Sequence, residues 1–421
     1  MIYRKLSHKK WNIYNLGSLL RIKHGYAFKG EYFSDSGPFL LLTPGNFSLG
    51  GGLKFKGDKE KYYIGPFPDE FLLKKGDLLI VMTDLTQEAS ILGSSAFVHQ
   101  SDYFLHNQRL GKIYDISSNL DINFLYYLLN SKYVRNQIKG SATGSTVRHT
   151  SPDRIYAVNV SIPPLYVQQK IAAILKPLDD LIENNTRRIK ILEEMAQRIY
   201  REWFVHFRYP GHDNQKLVES ELGMIPEGWE IKPLGNISSI TMGQSPKSEY
   251  YNEIGNGFPF HQGVRFFGKR YPENRIYCSI LNRVAEKGDI LFSVRAPVGR
   301  MNIANAKIVI GRGLAAIRSN NKQQVFLHQQ LSHLFKNEDI IGSGTIFNSV
   351  TRYDMHSINV LIPQQDLAEK YENIITPVYH DIEILYKMVS ILESTRDLLL
   401  PKLISGQIDV SDLDIDTGEV A

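Results

Sequence analysis

The sequence predicts an α+β protein in which two similar globular domains are separated by two long antiparallel helices, a coiled-coil-like spacer with pseudo-twofold symmetry. Three observations carry this prediction. The chain repeats itself; short alternating apolar runs broken by turn residues fill most of each copy; and each copy ends in apolar residues spaced alternately four and three apart.

The repeat is visible residue by residue. Trp11, Ile13, Leu16 and Gly17 recur as Trp229, Ile231, Leu234 and Gly235, and at the same offset of 218 Ile22, Gly25 and Lys29 match Ile240, Gly243 and Lys247. KKGDLL from Lys74 returns as EKGDIL from Glu286 at an offset of 212, so the intervening loops differ. From about residue 140 the offset settles at 200, with Gly144/Gly344, Asn159/Asn359, Ile162/Ile362, Pro163/Pro363, Ile191/Ile391 and Glu193/Glu393 in register. A unit of this length is too long for a solenoid repeat, and each copy is read as a domain with its own helix.

Within a copy, Asp77 to Met82 and Asp289 to Val294 are strand-like, flanked by Gly, Pro, Asn and Ser clusters, whereas Ile122 to Ile138 is helical. The predicted division is a globular domain over 1–163, a helix over 164–206, a polar linker over 207–228, a second globular domain over 229–363, a helix over 364–406 and a tail over 407–421. In the first helix Leu178, Ile182, Asn185, Ile189, Leu192, Ala196, Ile199 and Trp203 form the stripe. Two hundred residues on, Val378, Ile382, Leu385, Val389, Leu392, Arg396, Leu399 and Leu403 repeat it. Such a helix is roughly 60 Å long at 1.5 Å per residue, more than a small domain needs, and the other helix is the natural cover for its stripe. Asn185 and Arg396 interrupt the stripe, either fixing register or marking a solvated edge. Pro177 and Pro377 predict a kink or a first-turn position.

At 421 residues and 43% hydrophobic the chain is too apolar for disorder. Its longest apolar runs are a handful of residues, against about 20 for a membrane helix. The single cysteine, Cys278, excludes an internal disulfide framework, and the scattered histidines have no zinc spacing. A cytoplasmic, metal-free protein with no membrane association is expected. A net charge of +5 is compatible with a polyanionic partner.

The strings SELGMIPEGW (Ser220 to Trp229), KKGDLL, EKGDIL, NQRLGKI (Asn107 to Ile113) and IPPLYVQQKIAAIL from Ile162, in this duplicated order, resemble the specificity subunits of Type I restriction-modification systems. The family's Glu-Gln pair after the prolines is replaced by Val167-Gln168 and by Leu367-Ala368, a departure at a helix start that touches no catalytic group. The resemblance implies two target-recognition domains, each reading one half of a split, asymmetric target in double-stranded DNA. It implies that the helices space the domains and carry two methyltransferase subunits, with a restriction/translocase subunit able to join. S-adenosylmethionine, ATP and Mg then belong to those partners, and this chain holds no cofactor.

The residues agree in lacking enzyme motifs. An adenine methyltransferase needs Asn/Asp-Pro-Pro-aromatic for the flipped base, and Ile162-Pro163-Pro164-Leu165 lacks both flanking groups. Pro68-Asp69 and Pro152-Asp153 lack the following Asp/Glu-x-Lys of a metal-dependent nuclease, and Arg270 stands where a P-loop ending at Lys269 requires Ser or Thr. A structural coiled-coil linker protein without DNA readout is the alternative; it explains the stripe but not two loop-rich domains.

Base readout uses bidentate donors such as Arg, Asn and Gln, and phosphates are met by cations, hydroxyls and backbone amides. Phosphate candidates are Ser145, Thr146, Arg148 and His149 within Gly140 to Ser151, and Thr345, Asn348, Thr351 and Arg352 within Gly342 to Arg352, segments that could equally be ordinary turns. Gln108, Arg109 and Lys112 in the first copy and Arg295, Arg300 and Arg312 in the second form another set. Arg109 and Arg312 occupy similar places before Leu110 and near Leu314, which suits fold maintenance as well as contact. Gln262 and Arg265, beside His261 in an aromatic-rich stretch, either read bases or form a plain surface loop.

Inserting one heptad after Leu192 preserves the four-three stripe and adds about 10.5 Å of helix. Methylation mapping should then show a longer gap between unchanged half-sites; an active variant that keeps the original gap would show that helix length does not measure DNA.

Overall fold

The computed structural model describes residues 11–55, 57–336, 340–341, 345–346 and 349–418. The chain forms two compact units, Met1–Asn185 together with Met388–Ala421, and Thr186–Lys387.

The first unit contains β1 (Asn12–Asn15), β2 (Arg21–His24), β3 (Phe33–Ser34), β4 (Phe39–Leu42), β5 (Tyr62–Tyr63), β6 (Leu78–Val81), β7 (Thr83–Asp84), β8 (Ser95–Phe97), β9 (Phe104–His106), β10 (Leu110–Tyr114), α1 (Ile122–Asn130), α2 (Lys132–Ser141), β11 (Arg148–His149), α3 (Pro152–Tyr156), β12 (Asn159–Ile162) and the start of α4 (Leu165–Phe204). One sheet has the order β2-β10-β6-β8 and another β3-β5-β4-β9, while β1 pairs with β12 and β7 with β11. The helical stretch predicted over Ile122 to Ile138 is two helices. Asp121 caps α1 through Phe124 N–H, and Ser131, extended at φ −66° and ψ 145°, ends it and caps α2.

The second unit repeats this plan. After a hairpin of β13 (Leu217–Ser220) and β14 (Gly223–Pro226) come β15 (Glu230–Pro233), α5 (Leu234–Ile237), β16 (Ser238–Met242), β17 (Tyr251–Asn252), β18 (Phe258–His261), β19 (Tyr277–Cys278), β20 (Val284–Ala285), β21 (Ile290–Ser293), β22 (Met301–Ile303), β23 (Ile308–Ile310), β24 (Leu314–Ser319), α6 (Gln324–Leu334), β25 (Ile340–Ile341), β26 (Thr345–Ile346), α7 (Arg352–Ser357), β27 (Asn359–Ile362) and α8 (Gln365–Ile404). The order β16-β24-β21-β22 reproduces β2-β10-β6-β8, and β17-β19-β18-β23 reproduces β3-β5-β4-β9, down to the parallel pairings of β4 with β9 and β18 with β23.

The repeated KGD string is a turn that feeds the central strand. Gly76 (φ +91°) and Gly288 (φ +92°) take the left-handed conformation that glycine tolerates. Asp77 Oδ2 then accepts Lys74 N–H at 2.9 Å and pairs with Lys112 Nζ at 2.7 Å on β10. Asp289 accepts Glu286 N–H at 2.8 Å and takes the Arg318 guanidinium through both oxygens, at 2.6 and 2.8 Å, on β24.

Each unit includes antiparallel stretches of both long helices. In the first unit Ile171 and Leu175 of α4 share a core with Leu403 and Ile404 of α8, and Arg396 reaches Asp179 at 3.0 Å, where Tyr127 Oη also donates. Arg396 is thus a pairing contact and not a solvated edge. In the second unit Ala196, Tyr200 and Phe204 of α4 pack with Leu367, Tyr371 and Ile375 of α8, and Tyr371 Oη donates to the Ala196 carbonyl at 3.3 Å. Arg270, 7% exposed, fastens the β18–β19 connection to this pair: its guanidinium lies 4.1 Å from the Tyr379 ring centre and 3.3 Å from Glu193. Burial pushes the Glu193 carboxyl above its ordinary pKa, and the Arg270 charge opposes that rise. Pro177 and Pro377 lie inside continuous helices and not in a first turn.

The segment after α4 is polar in composition but folded: Tyr209 stacks on Trp229 at 5.7 Å, and Gln215 Oε1 accepts from Tyr209 Oη at 2.6 Å. After α8, Val410 joins the core of the first unit, and Lys170 Nζ donates to the carbonyls of Ser411 and Leu413. Among the described residues no helix is long and apolar enough to cross a membrane.

Asp77→Ala and Asp289→Ala each strand a turn amide and a strand cation, and each should lower unfolding free energy by about 1–3 kcal/mol in urea titrations. An unchanged midpoint for both would remove the turn from the account of the fold.

Candidate nucleic-acid interface

The residue following β6 is Met82, and the residue following β21 is Val294. Met82 N–H donates to the Arg109 carbonyl at 2.9 Å, and its carbonyl accepts Thr150 N–H at 2.9 Å. Val294 does the same with Gly313 and Val350, at 3.0 and 2.9 Å. In each unit one strand end therefore holds together the turn before β10 or β24 and the segment before α3 or α7, and these carry most of the candidate contact residues.

Gln108 and Arg109 are exposed on the first of these turns, which Leu110 N–H closes onto the Asn107 carbonyl at 3.0 Å. With Phe33, Thr43 and Lys61 they line a cleft of about 250 Å³. An adjoining cleft of about 190 Å³ shares Arg109 and Lys61 and adds Lys59 and Leu85. Sequence reasoning missed Lys59 and Lys61, for which the only signal was the run of lysines at 54, 56, 59 and 61. Lys112 faces elsewhere, engaged with Asp77. Behind the turn His106 is fully buried, its Nε2 on the Leu110 carbonyl at 3.0 Å. Burial lowers its pKa to about 4, which leaves the ring neutral at pH 7.

Ser145 and Thr146 are exposed at the tip of a hairpin whose ends, Thr143 and His149, exchange both backbone hydrogen bonds at 2.9 and 2.8 Å. Gly144 makes the hairpin possible. Its φ is +95°, and an added Cβ would sit 1.9 Å from the Val147 carbonyl oxygen. Arg148 folds back to donate to the carbonyls of Gly144 and Lys139, at 3.1 and 3.3 Å, while His149 Nδ1 meets Thr83 Oγ1 at 3.0 Å. Arg148 and His149 thus have structural partners, and the exposed hydroxyls lead the hairpin.

In the second unit Arg312 is exposed on the turn between β23 and β24. Ser245 Oγ accepts its backbone N–H at 3.3 Å and donates to Gln262 Oε1 at 2.8 Å. Added Cβ atoms at Gly311 and Gly313 would meet Gln262 at 2.6 Å, so the two glycines let Gln262 lie against the turn. Arg295, exposed, bridges to Ser349 beside Val294. Arg300 is exposed, with its carbonyl accepting Ser293 N–H at 2.9 Å. The Arg265 guanidinium lies 5.0 Å from the Phe266 ring centre. Thr351 caps α7 with Asp354, and Arg352 is exposed as the first residue of that helix. Thr345 is placed by its backbone in β26, and Asn348 lies outside the described residues. His261 is buried, bonded to Asn274 Oδ1 at 3.0 Å, with its pKa lowered by burial.

Matching backbone hydrogen bonds realign the two copies. Arg109 and Gly313 each give their carbonyl to the residue after the central strand, so Arg312 is the counterpart of Gln108, the pairing that Leu110 and Leu314 also give, and the similar place assigned to Arg109 and Arg312 from sequence is off by one residue.

A family model described as the Type I restriction modification DNA specificity domain matches residues 8–194 and again residues 226–386. The putative type I restriction enzyme MjaX specificity subunit of Methanocaldococcus jannaschii is 31% identical over 80% of this chain and 79% of its own length. The HindI specificity subunit of Haemophilus influenzae is 21% identical over 68% of this chain and 77% of its own. The crystal structure of a Type I restriction-modification S subunit from M. genitalium covers 95% of this chain and 98% of its own, with a TM-score of 0.62 at 19% identity, a likeness of fold.

Gly144→Ala should open the 143–149 hairpin, because the new methyl group cannot coexist with the Val147 carbonyl. Amide exchange at His149 should accelerate while that of Leu79 in the central strand stays unchanged; protection retained at His149 would refute the constraint.

Proposed function

The chain belongs to the DNA specificity family of Type I restriction-modification systems, and from that premise we propose that it acts as the non-catalytic reader of a split target in double-stranded DNA. The observation that carries this reading is the twice-built convergence at Met82 and Val294. Two exposed loops meet beside one strand end, and each meeting point is rich in cations and hydrogen-bond donors. In the first unit Lys59, Lys61 and Arg109 surround the clefts, with the Ser145 and Thr146 hydroxyls on the neighbouring hairpin. In the second, Arg312, Arg295 and Arg352 are exposed around the corresponding strand end. These groups suit phosphates and base edges.

Chemistry is assigned to partners. Two methyltransferase subunits supply S-adenosylmethionine and methylate adenine, and a restriction/translocase subunit supplies ATP- and Mg-dependent work. The sequence supports this division, since it lacks the motifs that would hold a flipped adenine or a nucleotide phosphate. Both long helices enter both units, so they are the elements able to carry partners common to the two.

The purified chain should bind duplex DNA with a steep salt dependence, losing about 0.9 log units of affinity per neutralised phosphate for each log unit of salt. Arg109→Ala and Arg352→Ala should each flatten that slope by up to one phosphate, and methyl transfer should appear only when a methyltransferase subunit is added. Salt-independent binding, or methylation by the chain alone, would overturn the proposal.

A further inference from the structure

The two units present different chemistry at one equivalent backbone position, and this difference predicts the bases they read. Gln108 and Arg312 both lie on the turn that enters the strand after β9 or β23. Both are exposed, and both precede the residue whose carbonyl caps the end of the central strand. The turn closures are the same: Leu110 N–H to Asn107 and Leu314 N–H to Gly311, each at 3.0 Å. The scaffold is therefore common to the units and the side chain is not.

We infer that this position is a base-reading position in each unit, with Gln108 taking an adenine and Arg312 taking a guanine. The inference rests on the DNA-reading function proposed above. It follows from what each turn can offer. A glutamine amide has one acceptor and one donor side, which match N6 and N7 of adenine in the major groove. Among the described residues no side-chain partner engages the Gln108 amide, so both sides are available. The cleft it lines also holds Lys61 and Arg109, cations of the kind that meet neighbouring phosphates.

The second unit offers a donor at this position. Arg312 has no acceptor, and its planar guanidinium fits the O6 and N7 acceptors of guanine in a bidentate manner. The neighbouring Gln262 would restore an acceptor if its amide were free. Its Oε1 instead receives the Ser245 hydroxyl at 2.8 Å, which engages that oxygen within the turn, while its NH₂ group remains a further donor. Ser245 is itself fixed, because its oxygen accepts Arg312 N–H at 3.3 Å. Gly311 and Gly313 allow this packing, since a side chain at either would collide with Gln262. A hydroxyl, an amide and two glycines thus engage the nearby oxygens within the turn and leave the guanidinium as its leading donor group, and a base with two adjacent major-groove acceptors is its complement.

The test is methylation mapping of the chain co-expressed with a methyltransferase subunit of its system, as wild type and with Gln108→Arg and Arg312→Gln. The wild type should give a split target. Arg312→Gln should convert one guanine in a single half-site to adenine or to a degenerate position, with the other half-site unchanged. Gln108→Arg should convert an adenine to guanine in the opposite half-site. On single duplexes the preference for the original base should fall roughly tenfold to a hundredfold. If Arg312→Gln yields an inactive complex, Arg312→Lys takes its place: it keeps the charge but loses the bidentate fork, and it should relax the same guanine. A split target in which these variants keep every base overturns the base assignment and leaves the proposed function standing. A wild type with no split target overturns the function on which the assignment rests.

Discussion

A residue at the end of a strand carries one backbone N–H and one carbonyl, and both must be satisfied once it is buried. At Met82 and Val294 these two groups are divided between different loops, one on each side. The loops arise far apart in sequence, before β10 and before α3 in the first unit and at the matching places in the second. Their separation in space is then set by the width of a single strand. Side chains on the loops can change without moving that frame, because the frame is made of main-chain bonds. A pair of domains built this way can keep one architecture and present unlike surfaces, as Gln108 and Arg312 do.

The frame depends on the central strands being held in place from their other ends. The Gly-Asp turn does this in both units with different cations. Lys112 and Arg318 sit on opposite sides of the matched pairs Ile113–Leu78 and Ile317–Ile290, yet reach equivalent aspartates, Asp77 and Asp289. The ion pair was therefore invisible to a comparison of the two copies, although the Gly-Asp string was plain. Gln168 is a similar case. It is fully buried, accepting Asp121 N–H and donating to the carbonyls of Asn119 and Pro163, and so ties the start of α4 to α1. In the second unit Ala368 stands in its place, also buried, with no amide to offer.

The long helices, the duplicated globular parts and the strands after the Gly-Asp turns were legible in the sequence because they depend on periodicity and on local turn chemistry. Contacts between distant segments were not. Arg148 and Lys112 have the composition of contact residues, but the fold uses the first to close a hairpin and the second to hold a turn. Lys59 and Lys61, exposed and not singled out from the sequence, line the clefts beside Arg109. The off-by-one match of Arg109 with Arg312 has another origin, since it paired two arginines by type although one directly precedes its leucine and the other stands two residues before it. Aligned on Leu110 and Leu314, as on the carbonyl that reaches the neighbouring strand, Arg109 stands opposite Gly313 and Gln108 opposite Arg312.

The membership of Met388–Ala421 in the first unit has a consequence for synthesis on the ribosome. Leu403, Ile404 and Val410 are core residues of a unit whose other parts were translated more than 200 residues earlier. The second unit, Thr186–Lys387, is continuous and has its whole core as soon as Lys387 has emerged. The usual order, in which the N-terminal domain folds first during translation, is thereby reversed. The nascent first unit keeps an apolar face uncovered until the last stretch of α8 arrives, and a message broken within the codons for that stretch would leave the first unit, and not the second, without a complete core.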